Sequence, residues 1–452
     1  MHRESTIDCR AALTPDGWTG PLRIGVDPAG HISSLHPISA AEAGSSGFIV
    51  PGMPNLHSHA FQRQMAGLTE FAVGDDSFWT WRESMYRVAS RITPEQLQAI
   101  AAWLQVEMLE AGFTSCAEFH YLHHGPAGEP YADIAEMSLR LLAAAGDSGM
   151  ALTLLPVLYC RSGFGAPGVE PHQRRFFNRP ERYLDLLGRC REAVSGAPLH
   201  RVGIAPHSLR AVSPDDLDAV FNDAPSDGQI HIHVAEQPAE VAACREQLGT
   251  APVAWLTDRY ELDDRWCLVH ATHMEAAEAE AAAATGAAAG LCPTTEADLG
   301  DGFFDTQAWL AADGEFGIGS DSNLRISVTE ELRLLEFQAR LRGLRRNVLA
   351  DAGLGCGRSL HQRATRGGAR ALGQPVGEIR PGARADLVEL DGEHPLLAGR
   401  DGDTVLDTWI FADPRDMIRT VWVAGIPCVQ AGRHLRRDVL EPPFRRAMRA
   451  LA

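Results

Sequence analysis

The chain has 452 residues, 45% hydrophobic and 22% charged, enough apolar material for a large core and without the bias of a disordered or fibrous protein. Its formal net charge of -18 excludes a general binder of nucleic acid or anionic membrane, since both need a cationic face. All 41 residues in the Lys+Arg count are arginine, which rules out a Schiff-base lysine, a Walker-type lysine and a carboxylated-lysine metal bridge.

Residues 1–48 are short apolar stretches punctuated by Pro15-Asp16-Gly17 and Asp27-Pro28-Ala29-Gly30, the pattern of β-hairpins. From there strand-like runs alternate with amphipathic helical ones. A helix at 94–111 precedes a strand at 114–119, and a helix at 214–221 precedes a strand at 230–234. The alanine-rich run 275–289 reads as a helix stopped by Gly286. Residues 377–391 and 420–432 return to strands and tight turns, and a short arginine-rich helix follows from about residue 442. The expected fold class is α/β: a (β/α)8 TIM-like barrel over 51–375, with a small β-sandwich domain built from both chain ends, 1–50 and 376–452. A doubly wound open sheet is the structural alternative. The nine scattered cysteines contain no C-x-x-C pair, and neither a signal-peptide core nor an apolar run of about 18 residues is present, so a soluble cytoplasmic protein is expected.

The residues that carry chemistry recur at strand ends. An apolar run closes in His57-Ser58-His59, and two residues spaced i, i+2 on a strand share a side, so both rings can converge on one ion. Alone, an H-x-H is more often a pair of incidental surface histidines. The strand at 230–234 offers His231 or His233; His233 is preferred because it lies nearer the C-terminal mouth, where barrel sites are built, with Glu236 three residues on. The strand at 265–270 ends in His270, and the one at 316–320 delivers Asp321. Imidazole nitrogens with one carboxylate suit a divalent transition metal that keeps a position open for water.

This pattern resembles the aminohydrolase branch of the amidohydrolase superfamily. The resemblance implies His57, His59, His233 and Asp321 as ligands of one divalent ion, zinc first among candidates, with Glu236 as general acid/base and His270 and Asp321 orienting the attacking water. Finer matches run from residue 51 to 323: PGMPNLHSHAFQRQMAGL, DSFWTWRE, EFHYLHH, HSLRAV, HVAEQ, WCLVHATH, TEADLGDG and GSDSN. They imply a deiminase of histidine degradation that acts on the linear formimino group of N-formimino-L-glutamate. Asp298 stands where that pattern has asparagine, which leaves the role of its loop open.

A dicarboxylate substrate calls for guanidinium forks, since arginine meets a carboxylate with two parallel hydrogen bonds. Arg82 and Arg210 are the candidates, carried over from the resemblance together with Gln62, Tyr121 and His207. Most of the 41 arginines must be structural, and a helix-face ion pair or an ordinary loop arginine is the plainer reading of these two. The nearest rival function is another mononuclear aminohydrolase acting on a purine- or pterin-like ring, which would want stacking and amide recognition in place of paired arginines. A rival of another class is a catalytically silent barrel serving as a binding protein, which has no need to hold an ion. The expected partners are a small dicarboxylate and a second copy of the chain in a homodimer, with no nucleic acid and no membrane.

Overall fold

The computed structural model describes residues 4–44, 47–70, 78–414 and 416–452, so Asp76 and Ser77 of the DSFWTWRE stretch lie outside it. Eight parallel barrel strands occur in chain order: β1 Met53–Ser58, β2 Phe113–His120, β3 Ala151–Leu158, a split β4 (His200–Val202 and Ala205–Pro206), β5 Ile230–Val234, β6 Trp266–His270, β7 Ala288–Leu291 and β8 Glu315–Ile318. Their spatial order is β4-β3-β2-β1-β8-β7-β6-β5, and a parallel bridge between Ile204 and Ile230 joins the two ends into a closed ring. Every residue of β1, β2, β3 and β5 is buried, as expected of parallel strands covered on both faces. An open sheet is thereby excluded.

Five helices matter to the site: α1 Phe78–Ala89, α2 Pro94–Glu110, α3 Pro293–Leu299, α4 Cys356–Leu372 and α5 Arg437–Leu451. The start of α2 is encoded locally: the Thr93 side chain caps the Gln96 amide, Gln96 caps in return, and Pro94 takes the first turn, where its missing N–H costs nothing. The alanine-rich run forms a helix over Ala276–Ala284, and Gly286 turns the chain at φ +85° into β7.

The C-terminus of α4 plugs the floor of the barrel. A helix leaves its last carbonyls without intrahelical partners, and here three consecutive ones take donors from residues in, or leading directly into, barrel strands. Gln229 Nε2 reaches the Arg370 carbonyl at 2.6 Å, His231 Nε2 the Ala371 carbonyl at 2.7 Å, and Thr153 Oγ1 the Leu372 carbonyl at 2.8 Å. His231 is therefore a floor residue, as the preference for His233 at the mouth requires.

Both chain ends build the satellite domain. A seven-stranded sheet contains strands from residues 11–51 and 387–434, and a second, three-stranded sheet joins Ser5–Cys9, Leu22–Val26 and Ile32–Pro37. Ile24, Ile32, Ile49, Ile379 and Leu387 share a small core of their own between them. The stretch 377–391 yields one strand, Leu387–Leu390, instead of several. Its earlier residues spend their backbone groups on the hairpin turn at Gly30 and Ile32, and the buried Arg384–Asp386 pair, at 2.7 Å, fixes the bend. The last helix also differs from expectation: it begins at Arg437, with Pro442 and Pro443 inside it. It packs on the barrel, where Phe444 stacks on Trp103 of α2 with ring centroids 5.4 Å apart. Among the described residues, no helix is long and apolar enough to cross a membrane.

Candidate active site

Strand ends deliver the expected group to the C-terminal mouth of the barrel. His57 is the penultimate residue of β1, which ends at Ser58, and His59 follows directly, so the pair converges through an irregular strand end instead of strict alternation. The Nε2 atom of His57 lies 3.2 Å from that of His59, 3.0 Å from that of His233 and 3.4 Å from Asp321 Oδ1; His59 Nε2 is 3.2 Å from the same oxygen. Tetrahedral ligands about 2.0–2.1 Å from a zinc ion stand about 3.3 Å apart, so these separations match the edges of such a shell.

Protonation states lead to the same conclusion. His59 Nδ1 faces the Phe119 carbonyl at 2.8 Å, and His233 Nδ1 faces the His207 carbonyl at 3.0 Å. A carbonyl can only accept, so each Nδ1 bears the proton and each Nε2 turns a bare lone pair toward the centre. Lone pairs and a carboxylate oxygen crowded this closely repel one another unless a cation lies among them. All four residues are buried, and their donor chemistry fits a divalent ion.

The backbone around the group is pinned in unusual conformations. Ala235, His270 and Asp321 adopt φ of 52°, 65° and 44°, in the left-handed region that non-glycine residues seldom occupy, at the points where the strands turn outward. Asn323 donates to the carbonyls of His59 and Asp321, both at 3.0 Å, tying the end of β8 to the end of β1. The carboxylate of Glu118 accepts from Ser58 Oγ at 2.8 Å and the Ala60 amide at 2.6 Å, which fixes the chain between His57 and His59.

Glu236 and His270 sit beside the group. His270 Nε2 is 3.8 Å from both Glu236 Oε1 and Asp321 Oδ2, while its Nδ1 faces Glu296 Oε1 at 3.3 Å. Burial alone would discharge this ring, but the carboxylates of Glu236, Glu296 and Asp321 outweigh it and carry its pKa up to about 10. Burial also holds the Glu236 carboxyl above its ordinary range, against the pull of His270 and Arg210. The Glu236 amide donates to Glu240 at 3.1 Å, and Glu240, also buried, offsets the positive charge of Arg210.

A cavity opens onto three residues of the four-residue group, His59, His233 and Asp321, with His57 behind them. Every substrate-binding candidate lines it: Gln62, Arg82, Tyr121, His207 and Arg210. Gln62 Nε2 donates to the Tyr121 hydroxyl at 2.7 Å, and the Arg82 guanidinium lies 5.6 Å from the centre of the Tyr86 ring. The wall also includes Trp81, Tyr86, Tyr159, Phe176 and Leu299, which motif reading did not single out. Leu299 ends α3, so Asp298, expected in a loop, stands in the last turn of this helix at the border of the cavity; it meets Glu70, and burial together with that neighbour raises its pKa to about 6.

The model of the amidohydrolase family matches residues 48–427. The chain belongs to the amidohydrolase family. Among members of the family, a formimidoylglutamate deiminase from Pseudomonas aeruginosa is 49% identical over 434 residues, 95% of this chain and 96% of its own. An 8-oxoguanine deaminase from the same organism is 27% identical over 352 residues, 75% of this chain and 73% of its own. In structure, an amidohydrolase from Brucella melitensis aligns with TM-score 0.93 and 48% identity, covering 99% of each chain. An adenosine deaminase from Xanthomonas campestris with bound zinc shares the family fold at TM-score 0.82 and 22% identity, over 99% of this chain and 98% of that one.

Proposed function

We propose that this member of the family hydrolyses N-formimino-L-glutamate to N-formyl-L-glutamate and ammonia, using one divalent ion, zinc first, held by His57, His59, His233 and Asp321. The observation that carries this reading is the presence of Arg82 and Arg210 in the same cavity as Glu236 and as His59, His233 and Asp321 of the four-residue group. The 49% identity to a formimidoylglutamate deiminase, over nearly the full length of both chains, supports it.

His57, His59, His233 and Asp321 would hold the ion, which would supply Lewis acidity and make a water more acidic, with a pKa toward about 7. Glu236 takes a proton from the attacking water and passes one to the nitrogen that leaves as ammonia, a shuttle suited to a carboxyl whose proton affinity burial has raised. His270, held at Nδ1 by Glu296, directs Nε2 toward the reacting centre beside Asp321. Arg82 and Arg210 grip the two carboxylates, while Gln62, Tyr121 and His207 orient the formimino end. No bond forms between the enzyme and the substrate carbon.

A second reading has one observation in its favour: Trp81, Tyr86, Tyr121, Tyr159 and Phe176 would also flank a flat ring, as a purine deaminase needs. Two arginines lining the same cavity favour the dianion. Ammonia release from N-formimino-L-glutamate, measured beside 8-oxoguanine and adenosine, separates the two; turnover of a ring alone would select the second. Metal analysis of the purified protein tests the silent-barrel alternative, which predicts no bound ion. The working unit is proposed to be a cytoplasmic homodimer, supported by the exposed Leu341 and Leu344, which offer apolar surface to a second copy. Light scattering that shows a monomer at assay concentrations would remove that part.

A further inference from the structure

Helix α1 supplies Trp81, Arg82, Met85 and Tyr86 to the wall of the cavity. What holds this helix in place is a side chain that the proposed reaction does not use. Arg175 is 2% exposed, and its guanidinium donates to three backbone carbonyls: Ala89 through Nη1, Ile92 through Nη2 at 2.9 Å and His124 through Nε at 2.8 Å. Ala89 is the last residue of α1, Ile92 lies just beyond it, and His124 follows the end of β2.

Among the described residues, no carboxylate lies within ion-pair distance of Arg175. A buried cation without a counter-charge is costly unless its N–H groups are well matched. The carbonyls at a helix C-terminus suit it on two counts: they lack intrahelical partners, and the helix dipole makes that end negative. The backbone of Arg175 is itself clamped to the barrel, since its carbonyl accepts the amides of His123 at 2.9 Å and His124 at 3.1 Å. One loop thus ties the end of α1 to the end of a barrel strand. Two residues earlier in that loop, Gln173 Nε2 reaches the hydroxyls of Tyr86 at 3.0 Å and Tyr159 at 3.1 Å, bridging α1 to the opposite wall of the cavity.

We infer that Arg175 is a positioning residue for substrate binding: by fixing the C-terminal end of α1 to the barrel mouth, it sets where Arg82 meets a substrate carboxylate. Seven residues separate Arg82 from Ala89, about two helical turns, so the helix transmits any shift at its anchored end to the guanidinium. This inference rests on the proposed dicarboxylate substrate.

The test is Arg175→Met and Arg175→Lys, each alone and combined with Arg82→Met, in the metal-loaded protein. Arg175→Met is expected to raise KM for N-formimino-L-glutamate about tenfold or more while kcat stays within about threefold, the pattern of lost uniform binding. Arg175→Lys should recover only part of it, since an ammonium cannot span three carbonyls. In the Arg82→Met background the same change should add little, because the two residues act on one contact. Hydrogen exchange should quicken at the amides of 78–92 and not in the barrel strands, a readout independent of any substrate. Unchanged KM, full additivity with Arg82→Met, or exchange that quickens throughout the barrel would each overturn the inference. If the wild-type protein fails to turn over formiminoglutamate, the functional reading falls, and the exchange pattern alone decides whether Arg175 holds α1.

Discussion

In the proposed reaction, Glu236 is the side chain whose removal would separate chemistry from metal binding. It stands 3.8 Å from His270 Nε2 and outside the group of four ligand residues. Glu236→Gln keeps size and hydrogen bonding, and is expected to retain the ion while lowering kcat by roughly 10²–10⁴, the usual contribution of a positioned acid/base. A Gln variant with near wild-type kcat would remove Glu236 from the mechanism. Arg82→Met and Arg210→Met test the grip on the substrate. Leaving a buried anion without its partner costs about 2–5 kcal/mol, so each should lower kcat/KM by tens- to thousands-fold with metal content unchanged. A singly charged formimino compound should lose far less from the change that removes the partner of its missing carboxylate, which assigns each arginine to its group. Wild-type kcat/KM in both variants would make the arginines structural. His57, His59, His233, Glu236, His270 and Asp321 were legible in the sequence because each lies at or just beyond the end of a strand with a recognisable apolar pattern. Glu118, Glu296 and Arg175 were not, because their roles come from neighbours far away in the chain: Glu118 serves the turn at Ser58, and Arg175 serves the carbonyls of Ala89 and Ile92, more than eighty positions earlier.

At the scale of elements, the floor of the barrel makes a direct prediction. His231 donates to the Ala371 carbonyl at 2.7 Å, with both residues fully buried. His231→Leu keeps most of the volume and leaves that carbonyl unpaired, at a cost of about 1–3 kcal/mol. Chemical denaturation should show the loss as a lower midpoint with an unchanged slope, and metal content should stay at the wild-type level. Stability equal to wild type would mean that the plug at the C-terminus of α4 contributes little. Strands with continuous apolar runs and helices with capping boxes were readable, as β5 and α2 show. The start of α5 was missed because its first turn, at Arg437, is polar and its prolines suggested a later beginning; the helix gains its stability from Phe444 against Trp103, a contact no local pattern reveals. The bend before Leu387 was missed for a similar reason, since its partners are turn residues near Gly30 at the other end of the chain.

For the whole molecule, an ion held by the proposed four-residue group would be coupled to stability, because strands β1, β5 and β8 converge on that group. A ligand that binds only the folded state stabilises it by about 4 kcal/mol at a thousandfold excess over its Kd. Stripping the ion should therefore lower Tm by several degrees and abolish activity, and one equivalent of zinc should restore both. Two ions per chain at full occupancy, or full activity without metal, would defeat the mononuclear scheme. The barrel could be read from the alternation of strands and helices. Its closure could not, because periodicity neither counts strands nor joins the Ile204 and Ile230 edges. The central claim, that the four-ligand group and the two arginines serve hydrolysis of a formimino group, is tested most directly by incubating the zinc-loaded protein with N-formimino-L-glutamate and identifying the products by NMR and mass spectrometry. The account predicts N-formyl-L-glutamate and ammonia in equal amounts; glutamate with formamide, or no turnover at all, would contradict it.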